Sequence, residues 1–460
     1  MEKELGGLPE GWVLAQISDV SIKGTQRVPE DSEEFDYVDI GSINRDLKSI
    51  ESPQFVLGKN APSRARKEIY EGDILVSLTR PNLNAVAIVP GKYHGQIAST
   101  GFEVIRPCIS DSRYIFGLTR SRHFIDEISG AVQGALYPAA KSVDVQNYRF
   151  PLAPLAEQKI IAEKLDSLLA QVHSIKTRLD QIPQILKRFR QAVLDEAISG
   201  KLTTAWRKEK KSSKDWRCCN ISDLAKKEKY SLSIGPFGSN LKVSDYRLKG
   251  SPLVFVRDIR AESFGSEKTK FIDKDKFEEL YAHHVAPGDI LITKMGDPPG
   301  DVAIYPMDRP IAVITADCIK LSVNESLSYT KFIYYAMKSN FFTEQVLNIA
   351  AGVAQQKVNL ANFRKIVLRL PPLEEQTEIV ARVEKLFAWA DNIEKQVNAA
   401  QQRVNNLTQS ILAKAFRGEL TEQWRKDHPE LISGENSAAA LLEKIKAERA
   451  AQTKKSKKKA

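Results

Sequence analysis

The sequence predicts an α+β fold in which two globular domains are separated by two long helices. The helices are expected to pair as an antiparallel intramolecular coiled coil, giving the chain a pseudo-two-fold, circular organisation. Three observations predict it. Residues 154–207 align without a gap on 372–425 at a constant offset of 218 positions, and a repeat of that length marks a structural unit used twice. Each copy carries apolar residues in alternating steps of four and three, the period of a helix seam buried along one stripe. The stretch before each copy holds the same pair of β marks: Gly-Asp-Ile-Leu at Gly72–Leu75 and Gly288–Leu291, followed fourteen residues on by Val-Ala-Ile at Val86–Ile88 and Val302–Ile304.

Taken in order, residues 1–153 read as the first globule. Short β-branched runs such as Tyr37-Val-Asp-Ile40 lie between Gly and Pro, the pattern of brief strands joined by turns. Residues 154–207 are the first long helix and a closing motif. Its seam is Ile161, Leu165, Leu168, Val172, Ile175, Leu179, Ile182, Leu186, Phe189 and Val193. Pro154 before it and Gly200 after it are the expected punctuation. From Glu157 to Ile198 the helix would run about 60 Å at about 1.5 Å per residue. Pro183 deletes one backbone hydrogen bond and crowds the preceding turn, so a kink is expected here and not in the second helix, which has Gln401 instead.

Residues 208–371 are the second globule, with β-runs at Leu253-Val-Phe-Val256 and Ile311-Ala-Val-Ile314. Residues 372–426 repeat the helix, with seam positions Ile379, Val383, Leu386, Ala390, Ile393, Val397, Ala400, Val404, Leu407 and Ile411, and repeat the closing motif. Residues 427–460 form a C-terminal helix and a lysine-rich tail. Equal length and matched phase favour seams that bury each other over seams that each pack on another chain. The antiparallel arrangement places the closing motif after residue 417 beside globule one.

A chain of 460 residues exceeds what one core holds. Net charge is +10 with a pI near 9.1, which points toward nucleic acid. Half of that surplus comes from Lys454, Lys455, Lys457, Lys458 and Lys459 in the tail, where lysine runs are usually solvated. Arg64-Ala-Arg-Lys67 and Lys187-Arg-Phe-Arg190 add basic clusters in the body. No apolar run of spanning length and no signal peptide is present, so a cytoplasmic protein without membrane contact is expected. Cys108, Cys218, Cys219 and Cys318 lack metal-ligand spacing and read as reduced thiols, with no metal site. No phosphate-binding loop occurs. Asp297-Pro-Pro-Gly300 lacks the aromatic residue that would stack on a flipped base, and reads as a turn before the Val302 strand. His283-His284 has no partner acid or third ligand in view, and reads as a surface pair. No catalytic residue is assigned.

The motifs that carry the repeat also resemble a known family, the specificity subunits of type I restriction-modification systems, over essentially the whole chain. The resemblance rests on Leu8-Pro-Glu-Gly-Trp12, the paired helix starts Pro154-Leu-Ala-Glu-Gln158 and Pro372-Leu-Glu-Glu-Gln376, the stretch Gln409–Thr421, and Ser433–Leu442. It is strongest toward the enteric type IA branch. It implies that the globules are target recognition domains, each reading one half of a split, asymmetric sequence in double-stranded DNA. It further implies that the helices set the spacer and dock two modification subunits, which methylate adenine at N6, with two restriction subunits adding cleavage. On this reading the chain binds no cofactor; S-adenosylmethionine, ATP and Mg2+ act through the partner subunits. The alternative is a coiled-coil adaptor bridging two protein partners without DNA readout, which leaves two diversified globules unexplained.

Base readout needs side chains with paired donors or acceptors, and polar loops are where they belong. Three pairs of loops supply them. After the Gly-Asp-Ile-Leu strands lie Thr79, Arg80, Asn82 and Asn84 in globule one, and Thr293, Lys294 and Asp297 in globule two. After the β-runs at Tyr37 and Leu253 lie Asn44 and Arg45, and Arg257 and Arg260. Before the long helices lie Gln133, Tyr137 and Lys141, and Gln355, Gln356 and Lys357. Half or more of any contacts would go to phosphate rather than to bases.

Overall fold

The computed structural model describes residues 7–130, 139–210, 215–351 and 356–459, the side chains of 452–459 excepted. The chain divides into two compact units: residues 1–180 with 399–460, and residues 181–398. Each unit therefore holds one globule, the start of one long helix and the end of the other.

In the first unit, the strand Ile74–Ser77 pairs antiparallel with Val86–Ile88 on one side and Phe102–Pro107 on the other. The sheet is completed by Ser21–Ile22. A second four-stranded sheet contains Glu34–Val38 parallel to Gln96–Ser99, flanked by Gln54–Leu57 and Ala65–Ile69. Val38, Ile69 and Ala98 of one sheet share a core with Leu75, Ala87 and Phe102 of the other. The second unit repeats both sheets: Ile290–Thr293 lies between Val302–Ile304 and Cys318–Leu321, and Ser251–Val254 runs parallel to Ala312–Ile314. The Gly-Asp-Ile-Leu words explain themselves locally. Gly72 and Gly288 adopt φ of +85° and +88°, a region that side chains avoid. The next residue, Asp73 or Asp289, is buried and accepts the N–H of Tyr70 or Ala286 at 2.9 and 2.8 Å.

The long helices span Leu155–Ser199 and Leu373–Phe416. Gly200 and Gly418 follow them in the left-handed conformation, as helix ends favour. The first helix is continuous through Pro183, which is exposed. The pairing is antiparallel within each unit. In the first, Lys164 Nζ donates to the Leu420 carbonyl at 2.7 Å and Gln401 to Asp180 at 2.8 Å. In the second, Arg382 donates to the Leu202 carbonyl at 2.7 Å and Arg190 pairs with Asp391 and Glu394.

The seam is broader at its ends than a heptad stripe. Ile161 and Leu165 join Leu169, Leu412, Ala415 and Phe416 in the core of globule one, while Val193, Leu194, Ile379, Val380 and Val383 join that of globule two. Each of these side chains larger than alanine contributes about 1.5–3 kcal/mol. Val172, Val397 and Val404 are buried, and Leu168, Leu179, Leu386 and Ile393 half-buried. Two seam positions depart from expectation: Ile175 and Leu407 remain 44% and 42% exposed. Neither belongs to a globule core, and one facing helix covers only a narrow stripe.

After the second closing motif, the helix Ala438–Lys459 brings Leu441 and Ile445 into the core of the first unit, beside Ile17 and Val20. Gly11 of the opening Leu-Pro-Glu-Gly-Trp accepts the Ala438 N–H at 3.0 Å, and a Cβ there would stand 2.3 Å from the Ile432 carbonyl oxygen. Among the described residues, no helix is long and apolar enough to cross a membrane.

Candidate nucleic-acid interface

The repeated words meet in a buried lock. Glu157 is fully buried; it accepts Trp12 Nε1 at 2.7 Å, Thr421 Oγ1 at 2.6 Å and the guanidinium of Arg425. Glu375 does the same with Trp216 at 3.1 Å, Thr203 at 2.7 Å and Arg207. Each arginine also donates to the glycine that ends a long helix, Gly418 at 2.7 Å and Gly200 at 2.6 Å. The neighbouring glutamines, Gln158 and Gln376, accept the N–H of Asp111 and Tyr329 at 2.9 and 2.7 Å and donate to Ala153 and Pro371. A buried carboxylate is tolerated only with such a donor set. The recurrence of these words in both halves is the sequence signal for the lock; their partners lie too far apart in the chain to be read from it.

The lock fixes each globule on its helix pair and leaves the loops free to differ. In the first unit Thr79 bridges Ala139, and Ala140 donates to the Leu78 carbonyl at 2.8 Å. In the second, Met295–Gly296 pairs with Gln356–Val358, which pairs in turn with Ala350–Ala351. The loop after the Gly-Asp-Ile-Leu strand and the segment before the long helix are thus brought together in both. The remaining loop joins them. Lys48 Nζ reaches the Asn84 carbonyl at 2.6 Å, and Arg260 Nε binds Asp301 at 2.9 Å.

Within that cluster Arg45, Thr79, Arg80, Asn82, Lys141, Arg257, Arg260, Asp297 and Lys357 are exposed, and Asn44 and Gln356 half-buried. Gln133, Tyr137 and Gln355 lie outside the described residues. Three expected loop side chains turn inward. Asn84 is 8% exposed and donates to the Thr119 carbonyl at 2.8 Å. Thr293 is fully buried; its hydroxyl accepts the N–H groups of Gly300 and Asp301, closing the Asp297-Pro-Pro-Gly300 turn. Lys294 is 8% exposed and donates to the Ala316 carbonyl at 3.3 Å, its pKa lowered by burial and then by Lys357. These follow from satisfying buried backbone groups, which polarity alone does not forecast.

Asn44 holds its own hairpin, accepting the N–H of Asp46 and Leu47 at 3.0 Å. Arg257 and Arg260 sit on the short helix Val256–Arg260 rather than a loop, because Asp258 accepts the Phe255 N–H and opens a helical turn. Arg257 is stacked over Phe255 at 4.3 Å. His283-His284 is not a surface pair. Both rings are half-buried and hydrogen-bond to the carbonyls of Ile234 and Phe277 at 2.7 Å, and burial lowers the His283 pKa. Among the described residues no cluster of His, Cys, Asp or Glu has the arrangement of a metal site.

Residues 9–184 and 255–401 match the family described as type I restriction modification DNA specificity domain. The chain is 38% identical to the EcoKI specificity subunit of Escherichia coli K12 and to the StySPI specificity subunit of Salmonella potsdam, each match covering 97% of both proteins. It is 42% identical to the Escherichia coli EcoBI specificity subunit over 71% of its length and 70% of that protein. Among solved structures it is similar to the HsdS subunit of Thermoanaerobacter tengcongensis, with a TM-score of 0.64 and 26% identity over 89% of this chain and 98% of that one. It is also similar to a chain from a study of assembly and conformational transition in a type I R-M system, with a TM-score of 0.68 and 26% identity over 90% and 99%.

Proposed function

The chain belongs to the specificity subunits of type I restriction-modification enzymes, and on that premise we propose that each unit reads one half of a bipartite, asymmetric duplex. The observation that carries this reading is the contrast between a lock repeated residue for residue and a loop cluster that differs completely between units. A shared frame with different loops gives two recognition surfaces. In this reading the exposed members of each cluster, Arg45, Arg80 and Asn82 in the first and Arg257, Arg260 and Lys357 in the second, face DNA. Asn84, Thr293 and Lys294 shape the loops that present them. The paired helices set the spacer and dock two modification subunits, with two restriction subunits completing the nuclease. S-adenosylmethionine, ATP and Mg2+ act on those partners, in the cytoplasm.

The test is a genome-wide map of N6-methyladenine in a methylation-free host expressing the chain with its modification subunit. A split motif methylated on opposite strands in its two halves is expected; absence of methylation with a stable complex would remove the reading. Lengthening both long helices by one heptad is expected to change the spacer and keep both half-sites, since a heptad preserves angular phase. The segment at Thr203–Arg207 is unsuitable for such an insertion because Thr203 and Arg207 are bonded to Glu375.

A further inference from the structure

Where the first helix pair meets globule one, an open groove of about 420 Å³ is lined by five basic side chains, Arg45, Lys48, Arg120, His173 and Lys176, against Asp46 and Asp180. Asp180 is already engaged by Gln401 at 2.8 Å. Arg120 has no salt-bridge partner among the described residues, and the one carboxylate that acts on it, Asp166, does so without a direct contact; its Nε is buried without a hydrogen-bond acceptor, and its guanidinium lies 5.2 Å over the Phe116 ring. Lys48 spends one donor on the Asn84 carbonyl. A buried donor without an acceptor is costly, and native proteins retain one rarely.

The second unit supplies a control. At the repeat offset, Arg120 corresponds to Lys338 and Phe116 to Tyr334. There Lys338 pairs with Glu262, which also accepts the Tyr334 hydroxyl at 2.5 Å. His173 and Lys176 correspond to Asp391 and Glu394, both bound to Arg190 at 2.7 and 2.8 Å. The second unit neutralises these cations internally. The first has Thr408 in place of Arg190, basic side chains in place of both carboxylates, and no salt bridge to Arg120 among the described residues.

We propose that the groove of the first unit is a binding site for a backbone phosphate of DNA, with Arg120, Lys48 and Arg45 as its donors and His173 and Lys176 along its floor. A phosphodiester offers several acceptor oxygens to a guanidinium fork and an ammonium at once. The groove is open rather than enclosed, so a continuous polyanion can pass through it. Its rim is the turn carrying Arg45 and the loop ending at Asn84, which also presents Arg80 and Asn82. The inference rests on the DNA-reading assignment and adds to it a contact that positions the duplex without reading sequence, on one half-site only.

The experiment uses the full chain in complex with its modification subunit, titrated against cognate and scrambled duplexes over a salt series. The double variant Lys48→Met, Arg120→Met is expected to lose affinity equally for both duplexes. The slope of log affinity against log salt should fall by about one, while the methylated sequence is unchanged and the unfolding midpoint is not lowered. Unchanged affinity and slope, with wild type binding normally, would overturn the inference. Failure of wild type itself to bind would instead count against the DNA-reading assignment. Two further outcomes also overturn the inference. One is loss of the modification subunit from the complex with DNA affinity per complex intact, which assigns the groove to a protein carboxylate. The other is stabilisation of wild type, but not the variant, by inorganic phosphate alone, with DNA binding unaffected.

Discussion

The two units hold the same lock and differ at the groove beside it. Glu157 and Glu375 are each fully buried and each answered by a Trp, a Thr and an Arg. At the ends of the short helices Ser112–Thr119 and Thr330–Met337, Lys338 of one unit pairs with Glu262, whereas Arg120 of the other has no salt bridge among the described residues. Internal duplication thus preserves what every copy needs to stand on its helix pair. It releases the positions whose charges have another task.

The sharpest way to break the comparison is at the lock. Glu157→Ala and Glu375→Ala each leave a partly buried arginine without its carboxylate, and each is expected to cost about 3–5 kcal/mol. Urea unfolding followed by hydrogen exchange in each unit should show comparable losses in the unit concerned; a loss confined to one variant would contradict equivalence. Next in size is Leu441→Ala, expected to cost about 2–4 kcal/mol through cavity formation. It should lower exchange protection of Ile17–Val20 in the first unit only, since among the described residues no part of the helix Ala438–Lys459 joins the core of the second.

Lys48→Met is expected to stabilise the first unit by about 1 kcal/mol at neutral pH, by removing a desolvated cation. The Lys48 pKa is lowered to about 8, by burial first, then by Arg120 and Arg45 against Asp46; His173, Lys176 and Asp180 face it across the groove. Because the folded pKa lies below the unfolded one, the protonated lysine costs stability below pH 8. That cost fades as pH rises toward 10.5. Unfolding of wild type and variant at pH 7 and pH 9.5 should therefore converge at the higher value. Smallest is Glu262→Gln, which frees the part-exposed Lys338 and should change stability by less than about 1 kcal/mol. Stability loss well above that would mean that Glu262 supports the fold rather than merely balancing charge.

Much of the frame was legible because it is periodic or repeated. The 4–3 spacing gave both long helices within a residue or two of their ends, and the recurring Gly-Asp-Ile-Leu and Val-Ala-Ile words gave paired strands in each globule. The loops were less legible. Asn84, Thr293 and Lys294 are polar and follow a strand, yet satisfy interior backbone groups. Arg257 and Arg260 sit on a helical turn that Asp258 opens. Arg120 follows an ordinary short helix, and only its buried Nε without an acceptor makes it unusual. Ile175 and Leu407 fit the seam period but lie where only one helix faces them.

The sequence by itself determined the duplication, the two helices, the strand pairs and the family, because repeat register and hydrophobic period are properties of residues close together in the chain. The tertiary structure decided which repeated words bind each other, Glu157 with Arg425 and Glu375 with Arg207, and which buried guanidinium nitrogen lacks an acceptor. Those outcomes depend on desolvation and on partners brought together from residues far apart in sequence, quantities that no local pattern encodes.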